Sequence, residues 1–190
     1  IDGKQALVCN GPTASPQYKP EAVSGYENLA KKAKITVNNG TGAEYLNDGL
    51  LTVSASVKDR EYRSAGAAEI TLTFDTPVKA RSVMIYNSSS YDYAFTKADR
   101  IEFTFASPLT ANGKEYLKGA IKDLAFPQKY VDESAGRITQ GAAAIADFEE
   151  MEITEIKIFL SAKYETTDQY GEALNDVGVA EIVVLGKSGK

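Results

Sequence analysis

The chain has 190 residues, 43% hydrophobic and 25% charged, with a formal net charge of −5 spread along its length. That is the balance of a soluble globule large enough for one core, without the basic stripe that phosphate backbones require or an apolar run near the roughly 18 residues of a membrane span. Histidine is absent and Cys9 is the sole cysteine, which excludes imidazole acid–base chemistry, imidazole or thiolate-cluster metal sites and an intrachain disulfide.

Residues 1–27 carry Pro12, Pro16 and Pro20 among Gly, Ser and Thr with little periodicity, and are expected to form a lead-in or linker. From Asn28 to Lys187 the pattern is that of a folded domain. Ala33-Lys34-Ile35-Thr36-Val37 alternates apolar and polar, as a half-buried strand does. Glu69-Ile70-Thr71-Leu72-Thr73-Phe74 alternates more clearly, and Asp75-Thr76-Pro77 after it predicts a turn. Arg81 to Tyr86 and Arg100 to Phe105 are further strands, the second expected to end at Ser107-Pro108. Gly113 to Tyr130 is compatible with a helical turn or a strand. Ala143 to Phe148, Glu155 to Leu160 and Val179 to Leu185 complete the set, with Glu149, Glu150 and Glu152 read as a solvated turn between strands.

Seven or eight short strands with no helical period between them predict an all-β, antiparallel sandwich. Each sheet has one dry face, and the two dry faces close on each other. The chain opens at Ile1-Asp2-Gly3 and ends in Gly186-Lys187-Ser188-Gly189-Lys190, which reads as a piece joined by linkers to neighbouring domains of one polypeptide.

The segment order carries a resemblance. Asn28-Leu29-Ala30, then a strand, then Leu46-Asn47-Asp48-Gly49, an alternating strand ending in Phe74-Asp75-Thr76-Pro77, Val83-Met84-Ile85-Tyr86, and a last strand Val179-Ala180-Glu181-Ile182-Val183-Val184 together resemble the galactose-binding-like superfamily of discoidin, coagulation factor type C and bacterial carbohydrate-binding domains. The resemblance implies a jelly-roll β-sandwich that is secreted or displayed at a bacterial cell surface and appended to a glycoside hydrolase. It also implies one structural calcium ion held by Asp48, Thr52 and Glu181 with nearby carbonyls, in keeping with calcium's demand for hard oxygen ligands. Read from the residues alone, Asp48 caps a turn and Glu181 is an outward strand residue. The chain departs from the family by lacking tryptophan, with Tyr62 standing in its place, and by a longer stretch from Val53 to Asp59.

Sugar recognition needs an aromatic face for ring C–H groups and a few polar groups for hydroxyls. Two loops have that composition: Asn87 to Tyr93, offering Tyr91, Asp92 and Tyr93 and running on to Arg100, and Tyr164 to Tyr170. Tyr62, Tyr164 and Tyr170 complete the candidate ligand-binding set. Tyrosines at such positions also anchor loops onto a domain. No nucleophile elbow, phosphate loop or base-activated nucleophile is visible, and the adjacent acidic pairs lack the separated environments that catalytic carboxylates need. The expected function is therefore non-catalytic glycan binding. The alternatives are a structural or protein-interaction sandwich and, third, a small two-carboxylate hydrolase.

Overall fold

The computed structural model describes residues 25–50, 60–88, 93–95, 97–124, 131–132, 137–138, 143–161 and 176–188. Ten strands are formed there: β1 (Glu27–Asn28), β2 (Lys34–Val37), β3 (Tyr62–Ser64), β4 (Ala68–Asn87), β5 (Lys97–Ala111), β6 (Lys114–Leu124), β7 (Val131–Asp132), β8 (Arg137–Ile138), β9 (Ala143–Ser161) and β10 (Val177–Ser188). Eight of them pair in the order β1-β10-β4-β9-β5-β6, with β2 also on β4 and β3 also on β10, while β7 and β8 form a separate hairpin. Every strand–strand pairing in these sheets is antiparallel. Among the described residues no helix is long and apolar enough to cross a membrane.

The long strands each serve two layers. The first half of β4 pairs with β2 and the end of β9, through Leu72 opposite Ile35 and Ile156; its second half pairs with β10 and the start of β9, through Val83 opposite Val184 and Ala146. Register shifts between Thr73 and Val78 and between Ala80 and Ser82 separate the halves. Such bulges bend a strand and can reset which parity faces inward. Before them Ile70, Leu72 and Phe74 are buried; after them Val83 and Ile85 are. The two halves close on one core, in which Ile101, Phe103, Ile156, Ile158 and Leu160 meet Val83, Ile85, Ile182 and Val184. Phe103 of β5 meets Phe148 of β9 edge to face at 4.9 Å, the arrangement that ring quadrupoles favour.

Three expectations are corrected here, all for one reason. Asp75-Thr76-Pro77 is no turn, Ser107-Pro108 ends no strand, and Glu149, Glu150 and Glu152 lie inside β9 rather than between strands. Proline cannot donate to a ladder, yet a bulge or edge needs no donor at that place. Pro77 sits in the register shift of β4, and Pro108 in that of β5 between Thr104 and Leu109. The ambiguous stretch from Gly113 resolves as strand β6, and pairing extends from Glu27 to Ser188.

Ile158 is fully buried between Ile70 and Ile101 on the neighbouring strands. Ile158→Ala is expected to destabilise the domain by about 2–5 kcal/mol, read as a lower urea midpoint with an unchanged m-value.

Candidate functional site

Two loop systems hold polar groups against the sandwich. The first begins with the 3-10 turn Leu29–Lys32, capped by Asn28, whose Oδ1 accepts from Ala30 N at 3.0 Å and from Val184 N at 3.2 Å. Asn47 Nδ2 donates to Ala30 O at 2.7 Å, and Ile182 N donates to Leu46 O at 2.7 Å. These bonds lay the Leu46–Gly49 loop across β10. Gly49 takes φ +84°, the left-handed region that suits glycine, and its N–H donates to Glu181 Oε2 at 3.0 Å.

Glu181 is 2% exposed and its Oε1 has no hydrogen-bond donor among the described residues. Asp48 lies beside it, with Oδ1 accepting from Leu50 N at 2.7 Å and Oδ2 3.7 Å from Arg60. Two carboxylates that share a buried place need a proton or a cation between them. The side chain of Glu181 is pushed up to about 7, by burial first and by the Asp48 charge in addition, while the Gly49 N–H and Lys31 act the other way. The geometry thus joins Asp48 to Glu181; Thr52 lies outside the described residues. No group of three or more acidic or thiol side chains gathers among the described residues, so a cation here needs carbonyl ligands as well.

The second system lies around β3. Thr41 and Arg63 exchange backbone hydrogen bonds at 2.9 and 3.0 Å, drawing the Asn38–Tyr45 segment onto β3. Glu61 is 3% exposed, and its Oε1 accepts from Ser88 Oγ at 2.6 Å and from Arg63 Nη2 at 3.1 Å. The Arg63 guanidinium lies 4.3 Å from the centre of the Tyr93 ring, a cation–π contact. Asn87, fully buried, closes the loop that Tyr93 belongs to: its Oδ1 accepts from Ser88 N and Phe95 N, both at 2.9 Å, and its Nδ2 donates to Phe95 O at 2.8 Å. Between these pieces opens a cleft of about 360 Å³ lined by Thr41, Gly42, Glu44, Tyr45, Glu61 and Arg63. Arg60 lies over the Tyr45 ring at 5.8 Å.

Of the residues expected to bind ligand, Tyr93 borders this cleft through Arg63. Tyr62 does not: it is fully buried, its hydroxyl donating to Asn39 O at 2.8 Å, so it is a core residue and no platform for a sugar. Arg100 does not either; it lies on β5 3.5 Å from the Phe159 ring centre, with Nε bonded to Glu102 at 2.7 Å. Tyr91, Asp92, Tyr164 and Tyr170 lie outside the described residues. The sequence reading missed Glu44, Tyr45, Glu61 and Arg63, because it weighted tyrosine-rich loops. The signal it passed over is the Arg60-Glu61-Tyr62-Arg63 run after the Asn38-Asn39-Gly40 turn.

No protein-family model matches the sequence, and no curated protein matches it. Solved structures match well. The lectin domain of lectinolysin, complexed with Lewis B antigen, is 12% identical and superposes with a TM-score of 0.52 over 86% of this chain and 98% of that one. An F5/8 type C domain from Bacteroides fragilis is 14% identical, with a TM-score of 0.50 over 87% of this chain and 99% of that one. This chain has the galactose-binding-like fold. A Ruminococcus gnavus GH29 fucosidase in complex with fucose is 16% identical with a TM-score of 0.50 over 86% of this chain, which spans only 27% of the fucosidase. For this galactose-binding-like domain the buried Glu181 sets a pH dependence. A carboxyl whose folded pKa is raised favours folding when protonated, so its contribution is complete below about pH 4.5 and is lost as pH rises through about 7. With a chelator present, stability is expected to fall by about 3 kcal/mol across that window, and Glu181→Gln to flatten the profile in urea titrations at each pH.

Proposed function

We propose that this domain is a non-catalytic carbohydrate-binding module that holds a larger secreted bacterial protein, of the glycoside-hydrolase kind, against a glycan. The observation that carries the reading is the open cleft of about 360 Å³ beside β3, which combines a tyrosine ring, a guanidinium and a carboxylate at its walls. That volume lies toward the lower end for small-ligand sites and suits a short oligosaccharide. The lectin and fucosidase structures that share the fold, solved with Lewis B antigen and with fucose, support it. Tyr45 supplies a partly buried ring for sugar C–H groups, and the Arg63 guanidinium, stacked on Tyr93, lines the same cleft. The reading is of binding without bond cleavage.

The test is titration of the isolated domain with galactose- and fucose-terminated oligosaccharides by microcalorimetry and on an array. Binding in the micromolar-to-millimolar range is expected, with Arg63→Ala and Tyr93→Ala each weakening it about tenfold, the worth of one charge-assisted or stacked contact. Silence toward plant, host and microbial glycans would refute the reading. One feature favours a second reading as a protein-interaction module: the β5–β6 hairpin exposes Leu109, Tyr116 and Leu117. The same titration separates the two, since an interaction module leaves sugars unbound.

The reading includes a structural calcium ion. Asp48 and Glu181 supply its anionic oxygens, Thr52 and loop carbonyls the remainder. The buried Oε1 of Glu181, lacking a donor among the described residues, fits a ligand in need of a cation. When bound, calcium neutralises the two carboxylates and ties the Leu46–Gly49 loop to β10. Calcium at a hundred times its Kd is expected to raise Tm by roughly 5–10 °C over the chelated protein. Asp48→Ala and Glu181→Gln are expected to abolish that shift in a scanning calorimeter, and an identical Tm with calcium and with chelator would exclude the ion.

A further inference from the structure

The β5–β6 hairpin outruns the rest of its sheet. Pairing of β5 with β9 ends at Phe105 opposite Ile153, while pairing with β6 runs on to Ala111 opposite Lys114. Residues 107–118 are all exposed, Leu109, Tyr116 and Leu117 among them. A two-stranded hairpin is marginal in water by itself, and a third strand with an apolar face is what makes such a sheet stable. Among the described residues β6 pairs with β5 alone. Its outer edge is therefore a row of backbone donors and acceptors beside exposed apolar side chains, the combination that invites another strand.

The turn decides which groups that edge offers. Asn112 and Gly113 both have positive φ, +50° and +71°, the signature of a type I′ turn, so Ala111 and Lys114 form its hydrogen-bonded pair. Even-numbered residues of β6 thus bond to β5, and Glu115, Leu117 and Gly119 turn their N–H and C=O outward. A two-fold axis normal to the sheet lays β6 antiparallel to a copy of itself, with the residue on the axis facing its own copy. Lys114, Lys118 and Lys122 recur every fourth residue on one face of β6. Every axis on an even-numbered residue from Lys114 to Lys122 therefore sets lysine opposite lysine, which opposes pairing. An axis on Leu117 does not. It brings Leu117, the most exposed large apolar side chain at 60%, onto its own copy, and it sets Tyr116 opposite Lys118 twice over, each a cation–π pair. Lys114 then faces Ala120, and Glu115 faces Gly119.

We propose that a second copy of this chain docks on this edge, β6 against β6, about a two-fold axis through Leu117. Two two-stranded arms become one four-stranded sheet, with roughly six new backbone hydrogen bonds. The cleft lies by β3, which pairs with β10 and stands apart from β6 in the strand order, so both clefts stay open. On the carbohydrate-binding reading, two clefts in one assembly add avidity on a repeating glycan; the self-association itself does not rest on that reading.

The experiment is sedimentation equilibrium of the full chain, without sugar, from micromolar to millimolar concentration. The native chain is expected to double in mass across that range. Leu117→Asp is expected to stay monomeric, and Tyr116→Ala to weaken association about tenfold through the two lost cation–π pairs. Both side chains are exposed, and urea midpoints matching the native chain's at low concentration confirm that the variants fold. The register is read by cross-linking with oxidised glutathione in a Cys9→Ser background. Leu117→Cys is expected to give a disulfide-linked dimer, since residues facing each other across such a pair stand about 5.5 Å apart at Cα. Glu115→Cys, whose copies lie roughly 13 Å apart along the strand, is expected to stay unlinked. A native chain that remains monomeric at millimolar concentration overturns the proposal, whatever it does with sugars. A dimer that Leu117→Asp leaves intact overturns the docking surface, and equal cross-linking at positions 115 and 117 overturns the two-fold register.

Discussion

The pairing of β4 with β9 is the constraint on which the rest depends. Strands of 20 and 19 residues are far longer than the five or six residues usual in globular sheets. Straight strands of that length would leave half their apolar residues facing water once the sheet twisted past a compact core. The register shifts near Pro77 and Arg81 solve this by bending both partners together. One continuous ladder then contributes to both layers. The parity switch in β4, from Ile70, Leu72 and Phe74 to Val83 and Ile85, is what keeps each half dry side inward. Interior hydrogen bonding and core packing are thus satisfied by the same local irregularity.

With the layers fixed, the loops must cope with what the strands expose, and two buried carboxylates show contrasting solutions. Glu61 is matched within the fold, by a guanidinium and a hydroxyl that come from β3 and from the end of β4. Its burial therefore ties two loop systems together and orients Arg63. Among the described residues Glu181 is matched only on one oxygen, by the Gly49 N–H. An unpaired buried acceptor beside a second carboxylate is costly, and a structure retains it where a proton or a cation completes it. The first carboxylate shapes the cleft; the second governs how the Leu46–Gly49 loop is fastened to the last strand.

The core was legible in the sequence because alternation is a direct consequence of a one-sided sheet. Ile70, Leu72 and Phe74 alternate with polar residues in the sequence, as do Ile101 and Phe103 and Ile156 and Ile158, and all of these are buried. What misled was punctuation. Pro77 and Pro108 read as stops, since proline removes a donor, whereas bulges make that loss harmless. The proximity of Asp48 to Glu181 followed from family resemblance and not from any local pattern, since 132 residues separate Gly49 from Glu181. The cleft was illegible for a related reason. Glu44, Tyr45, Glu61 and Arg63 belong to short segments without periodicity, brought together by long-range ties such as the Thr41–Arg63 bridge and the Tyr62–Asn39 bond. Tyr62 was misjudged because an aromatic in such a segment is as readily a core residue as a platform; its parity on β3, beside the inward Ser64, turns it into the core.

Identities of 12–16% to solved domains with the same fold follow from this division of labour. The layers ask only for apolar residues of the right parity and bulges at the right places, a demand that many sequences meet. The residues around the cleft answer to a different demand. Thr41, Glu44, Tyr45 and Arg63 stand on an isolated bridge, the 3-10 turn Ala43–Tyr45 and a three-residue strand at the margin of the sheet, where an exchanged side chain disturbs few core contacts. Ligand chemistry at such a margin changes without cost to the sandwich, so fold and specificity vary independently. Ligand chemistry in this domain belongs to the cleft's own side chains, Glu44, Tyr45, Glu61 and Arg63, and not to the fold that carries them.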